Sequence, residues 1–427
     1  MRPKYYLLLL VLPILFWVGC EDKEAEVDAA GAEAMADEAM DDIFEAMLAG
    51  DLESTSAIHD QFEDALESDP SNLTANFGAA FTTLASIGQN ESLESTMDSW
   101  IDCLESLGMT DPLGRTIISN NETAFGIPTS LNEISSFDAA QFLSYLPIIK
   151  SHEFILMRGN EYDCPEIGSL QDLLEDTFLS QLTEAIDHLG KVVGEGFVFT
   201  ITPEMMGDDG QSPINLDDTE IYLIKGVFHQ LRALIYAVIT YNVDIPYYDL
   251  MEEPDSTYNF PWLAQDASFL TIRSGQEQSL PNAHGDLNAV LSSLESAITF
   301  LQSDTDTEND LIQPDEGELT EMLEAINDAQ SILSGPYSIE EEITVDISHF
   351  LNNPPANLKN ILPGYTITAG PQLTWDATTC DAWKDGWDVT IGGLFPDFTT
   401  EMIFEDLSDD ECSNILQGFS FDDGGDE

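Results

Sequence analysis

Carboxylates, tryptophans, histidines and cysteines are the side chains in this sequence that could do chemistry. Asp304, Asp306, Glu308, Asp310 and Asp315 fall between two helical stretches. Their oxygens recur at alternate positions, a spacing that suits a hard cation such as Ca2+. Asn309 stands where the sharp turn of such a loop takes glycine, and Asp315 follows Pro314 where a bidentate glutamate would close the shell. The stretch therefore reads first as a solvated acidic loop and second as a Ca2+ site, and no other cofactor is expected. Trp375, Trp383 and Trp387, with Trp262 earlier, offer flat faces of the kind that stack on sugar rings beside carboxylates. Trp383 and Trp387 are four apart, which on a helix equally turns both toward a core. His59, His152, His188, His229, His284 and His349 stand singly, with no His-x-x-x-His or His-Glu-x-x-His among them. His188 and His229 lie in apolar helical stretches and read as satisfied core histidines. No nucleophile elbow, phosphate loop or dinucleotide fingerprint occurs in a fitting context. Among 81 acids no carboxylate pair singles itself out for glycoside hydrolysis. A non-catalytic protein is expected.

Cys20 is different, because its surroundings say what it is for. Arg2 and Lys4 precede an apolar run from Tyr5 to Val18, and Gly19 puts a small residue just before the cysteine. The run is shorter than the roughly 20 apolar residues that span a bilayer. The pattern resembles the signal peptide of bacterial lipoproteins. That resemblance implies removal of residues 1–19, acylation of Cys20, and a place in the cell envelope, at the outer membrane on its periplasmic or surface face. Each buried acyl methylene adds about 0.8 kcal/mol, so several chains hold where one would not. Residues 20–31 read as an acidic tether between lipid and body.

Cys103, Cys164, Cys380 and Cys412 remain. An exported chain lies in a disulfide-permissive compartment, and four cysteines allow three pairings. Two lie in the N-terminal half and two near the C-terminus, so Cys103–Cys164 with Cys380–Cys412 is the natural guess, each bridge contributing about 2–4 kcal/mol. None has Cys-x-x-Cys spacing, so the cysteines do not form a zinc site.

Charge narrows the partners. Against 81 acidic residues stand 12 basic ones, a net charge of −69. Such a surface repels nucleic-acid backbones, which are excluded as partners. The acids are spread along the chain, as in a solvated face screened by salt. Hydrophobic residues at 43% still supply a core.

The pattern along the chain is helical. Met35, Met40, Ile43, Phe44, Met47 and Leu48 recur at helical spacing, Gly50 reads as a stop and Asp51 as the next N-cap. A second helix runs through Ile58, Phe62, Ala65 and Leu66 and ends before Asp69-Pro70. Further helices are expected over 93–107, 138–157, 170–193, 219–241, 287–301 and 319–333. The helix over 219–241 is the most apolar and is expected to be central. Phe197–Ile201 reads as a short strand or a buried loop. From 340 onward Pro and Gly punctuate a loop-rich region with short strands.

Phe62, Ala65 and Pro70, followed by Ala75, Phe77, Gly78, Ala79 and Ala80, resemble the junction between two tetratricopeptide repeats. There an aromatic, Ala and Pro close one helix pair and small residues open the next. Ile58 and Asn76 occupy positions where that repeat carries a small residue and a large aromatic. The resemblance covers roughly residues 40–90 at the usual repeat length of about 34. It implies stacked helical hairpins and a protein-binding scaffold, and no catalytic residue.

The expected protein is thus mostly α-helical. A signal peptide (1–19) and tether (20–31) lead into a degenerate tetratricopeptide-like domain (32–335), with a loop-rich region (336–427) packed on it. Its expected role is binding or scaffolding of a protein partner in an acidic helical groove, at a membrane held through the lipid on Cys20. The competing reading is a glycan- or small-solute-binding outer-membrane lipoprotein of the starch-utilisation type, which joins such hairpins to a glycan site.

Overall fold

The structure is a computed structural model that describes residues 28–49, 54–87, 95–96, 99, 167–203, 205, 212–244, 268–303, 316–339, 343–361, 365–367, 373–375 and 380–404. Within them the chain is mostly helical, with a few short strands. Helix α1 spans Ala29–Ala49, α2 spans Thr55–Ser68 and α3 spans Leu73–Ile87. The expected start of α2 needs correction: Ser54 holds the N-cap position rather than Asp51. Several polar residues compete for that cap, and the helix begins where Thr55, 1% exposed, goes into the core. Its end is as the sequence reads. Asp69 leaves helical geometry just before Pro70, which cannot continue a helix. Asn72 then accepts from the Ala75 amide at 2.7 Å and opens α3.

These three helices pack on one another through small residues and one large one. Phe62 is fully buried. A Cβ placed on Gly78 would lie 2.2 Å from the Phe62 ring. Only glycine lets α2 come this close to α3, so this contact sets where the rest of α2 stands.

The next helix is built in two pieces. α4 (Ile167–Leu173) passes through a π-helical turn (Leu174–Phe178) into α5 (Leu179–Val192). Leu170, Leu174, Phe178, Leu182 and Ile186 are all buried. They recur every four residues, and at 3.6 residues per turn each such step over-rotates by about 40°. The wider turn takes up the excess and keeps the ladder on the buried face. After α5, Gly194 and Gly196 adopt φ of +82° and +71° and turn the chain back. Strands β1 (Phe199–Ile201) and β2 (Ile214–Leu216) pair antiparallel, with Phe199 opposite Leu216. Phe199 stacks on Phe44 at 5.7 Å and Phe197 meets Phe77 at 5.4 Å, so the hairpin closes the core over α1 and α3.

Helix α6 (Asp218–Thr240) starts with a capping box between Asp217 and Glu220. Burial pushes the Glu220 carboxyl up to about 7. The helix is central as expected: it packs along α7 (Ser279–Ser303) and against α5. By length and composition it would also pass for a membrane span. Its packing and its Arg232–Asp286 pair are those of a core helix. Gln171 closes its far end, donating to the Val238 and Tyr241 carbonyls at 2.8 and 2.7 Å. Arg273 ties the same end to Asp172 and, at 3.2 Å, to Glu175.

Helix α8 (Glu316–Ser334) pairs with α7. Short elements follow: β3 (Tyr337–Ile339) with β4 (Ile343–Val345), α9 (Ile347–Asn352), β5 (Tyr365–Ile367) with β6 (Leu373–Trp375), α10 (Cys380–Asp385) and α11 (Thr400–Phe404). Tyr241 donates its hydroxyl to the Pro355 carbonyl at 2.9 Å, joining this part to the end of α6.

Candidate functional site

Cys20, Cys103, Cys164, Cys412, Trp262 and the whole acidic loop Asp304, Asp306, Glu308, Asp310 and Asp315 lie outside the described residues. The helices expected over 138–157 and over most of 93–107 lie there too. Cys380 opens α10, Trp375 ends β6, Trp383 lies in α10 and Trp387 is half-buried just beyond it.

His152 lies outside the described residues; the other histidines are placed, and two of them take part in a cluster that the sequence reading missed. α3 forms a floor, with α2 on one side and α5 on the other. α2 brings His59 and Glu63 to this floor, and α5 brings Glu184 and His188. Each pair is four apart, so both members share one helix face. A ring nitrogen of His59 and one carboxylate oxygen each of Glu63 and Glu184 lie within 4.8 Å of one another. His188 Nε2 lies 3.5 Å from Glu63 Oε1. That oxygen is buried and accepts no hydrogen bond.

The floor fixes both rings. Asn76 donates its side-chain amide to the Pro70 and Asn72 carbonyls at 3.1 and 2.8 Å. Its Oδ1 is therefore an acceptor, and His188 Nδ1, 2.9 Å away, must donate to it. Thr82 directs its hydroxyl proton at the Gly78 and Ala79 carbonyls, at 2.9 and 3.1 Å. Its oxygen is thus free to accept from His59 Nδ1 at 2.9 Å. In both histidines Nδ1 is committed as a donor and Nε2 is the nitrogen left over. Burial pushes the His188 imidazole down to about 4, helped by Lys191 and His59 and opposed by Asp187. This ring is neutral at neutral pH.

Beside the cluster runs an open groove of about 750 Å³ along α5, lined by Ser180, Thr183, Glu184, Asp187, His188 and Lys191 among others. Its underside is fixed by a second polar group. Asp286, 4% exposed, accepts from Arg232 Nε and Nη2 at 2.8 and 2.6 Å and from His229 Nδ1 at 2.7 Å. Arg232 Nη1 reaches Thr183 of α5 at 3.1 Å. Burial alone would raise the Asp286 carboxyl; the hydrogen bonds and charges of His229 and Arg232 outweigh it and hold the carboxyl below its ordinary value. His229 is the satisfied core histidine that its helix suggests. His188 is buried and bonded through Nδ1 too, but to a neutral amide, and its Nε2 faces a carboxylate oxygen that accepts no hydrogen bond.

The signal that would have found the cluster is the pair of four-residue spacings, His59 to Glu63 and Glu184 to His188. Each is common on a helix, and only the fold brings the two together across 120 residues of chain. Compared with protein-family models, with curated proteins and with solved structures, the chain matches none of them.

Proposed function

We propose that this chain is a lipid-anchored envelope protein, held through Cys20, that acts as a non-catalytic binding and scaffolding module. Its helices α1 to α3 are read as tetratricopeptide-like hairpins, a reading supported by their consecutive packing and by Phe62 seated on Gly78. The observation that carries the functional reading is the open groove along α5. Glu175, Glu184 and Asp187 outnumber the one Lys191 along it, and the Arg232–Asp286 pair beneath, through Thr183, ties it to α6 and α7. A preformed acidic groove on rigid helices suits a basic segment of a protein partner, because complementary charge speeds encounter and excludes wrong partners.

Labelled fatty acid should enter the wild-type chain and not Cys20→Ser. The full-length chain in detergent should bind a fluorescent lysine-rich peptide, with anisotropy falling as salt rises. Placing positive charge in the groove with Ser180→Lys and Asp187→Lys should weaken that binding about tenfold or more. Equal binding by the double variant would sink the groove as the docking place. Oligosaccharide retention on an array, without peptide binding, would replace this reading with that of a glycan- or small-solute-binding lipoprotein of the starch-utilisation type.

A further inference from the structure

We propose that His59, Glu63, Glu184 and His188 form a binding site for one divalent transition-metal ion, with Zn2+ as the type case. The inference does not rest on the scaffold reading, although Glu184 and His188 also line the groove: it concerns an ion held between α2 and α5.

Three observations carry it. The first is the donor set. Imidazole nitrogen with carboxylate oxygen is the mixture that borderline ions such as Zn2+ take, whereas Ca2+ and Mg2+ prefer oxygen alone. The second is orientation. Both rings give their Nδ1 protons to acceptors on α3, Asn76 Oδ1 and Thr82 Oγ1. A metal-binding histidine is held in this way, its other ring nitrogen anchored so that Nε2 faces the ion. The third is the unclaimed acceptor. Glu63 Oε1 is buried without a hydrogen bond and faces His188 Nε2 at 3.5 Å. A buried acceptor is ordinarily paired, and a cation between these two atoms would pair both.

The spacing fits an ion after small rotations. The ligand atoms of His59, Glu63 and Glu184, within 4.8 Å of one another, and His188 Nε2, 3.5 Å from Glu63 Oε1, need to approach by about an ångström to sit at the roughly 2.0–2.2 Å bond lengths of zinc. Glu184 is exposed and Glu63 half-buried, so both carboxylates can make that move. The acidic surface raises the local concentration of divalent cations around the whole protein. It also binds them loosely, so a specific site must be separated from that background.

The experiment is Zn2+ titration by calorimetry on the full-length chain, stripped with chelator and held in excess Mg2+ to occupy scattered carboxylates. One tight Zn2+ per chain should remain. Glu184→Gln, on an exposed residue that cannot unfold the core, should weaken it about 10-fold or more, and His59→Gln about 100-fold. Asp60→Asn, an exposed neighbour on α2, should leave it unchanged. Co2+ in place of Zn2+ should give visible bands of a nitrogen-containing low-coordinate site, lost in His59→Gln. The proposal is overturned if Mg2+ abolishes Zn2+ binding, or if Glu184→Gln and Asp60→Asn behave alike.

Discussion

Two polar clusters touch α5, one on each side, and they are finished to different degrees. Around Asp286 every donor aimed at the carboxylate is paired: Arg232 grips both oxygens, His229 shares one, and Thr183 takes the remaining arm of the guanidinium. Around Glu63 the outer bonds are made and the inner ones are not. His59 and His188 are anchored through Nδ1, while Glu63 Oε1 has no hydrogen bond. The first cluster is closed on itself and acts as a staple among α5, α6 and α7. The second is held from outside and open at its centre, which is the arrangement of a binding place. The difference lies in what faces each carboxylate: donors already bound around Asp286, and a ring nitrogen without a proton to give beside Glu63.

The largest effect should come from breaking the staple. Asp286→Ala leaves Arg232 and His229 buried without their partner, and should cost about 3–5 kcal/mol in denaturant unfolding. A loss below about 1 kcal/mol would mean that the group relaxes to water and is no staple.

Acid should separate the two clusters next. His188 is held at about 4 against an ordinary 6.5. A depressed histidine stabilises the fold above its unfolded value and loses that contribution as pH falls from 6.5 toward 4, here up to roughly 3 kcal/mol. The groups facing His188 are Glu63 and His59 from α2 and Asp187 and Lys191 on its own helix. Asp286 is depressed from 3.8, so its contribution survives until pH falls below that value. In metal-free buffer, amide protection factors, corrected for the slower intrinsic exchange in acid, should therefore fall first in α2, α3 and α5, between pH 6.5 and 4, while those of α6 and α7 hold. Opening of α6 and α7 first would reverse the comparison.

The smallest effect tests what sets the spacing of the open cluster. Gly78→Ala puts a methyl group 2.2 Å from the Phe62 ring. Overpacking of this kind costs about 1–3 kcal/mol. It should push α2 away from α3 and weaken binding at His59 and Glu63 while leaving the Asp286 staple intact. Unchanged thermal stability in that variant would show that α2 adjusts freely.

Much of the described fold was legible. The helices through Ile58 and Phe62, over 170–193, over 219–241 and through the 287–301 and 319–333 pair follow from apolar spacing. The exit before Asp69-Pro70 follows from proline's missing donor and fixed φ. The cap of α2 was misplaced, because Asp51 and Ser54 are both good caps in isolation and the choice fell to burial of Thr55. Asn76 stood out in the sequence as an asparagine where a tetratricopeptide repeat carries an aromatic. Its reason became visible only in space, where it fixes the tautomer of His188, 112 residues further along the chain.

The sequence by itself determined the helical character, the strongly acidic charge, and which stretches carry the core, because these depend on local periodicity and composition. Only the tertiary structure decided which histidine joins a paired carboxylate and which faces an unclaimed one. His188 and His229 have the same kind of local sequence, an imidazole on an apolar helix. What differs is the partner: Asp286 for one, Asn76 and Glu63 for the other. Those partners come from other helices, brought within hydrogen-bonding reach by packing that a one-dimensional pattern does not encode.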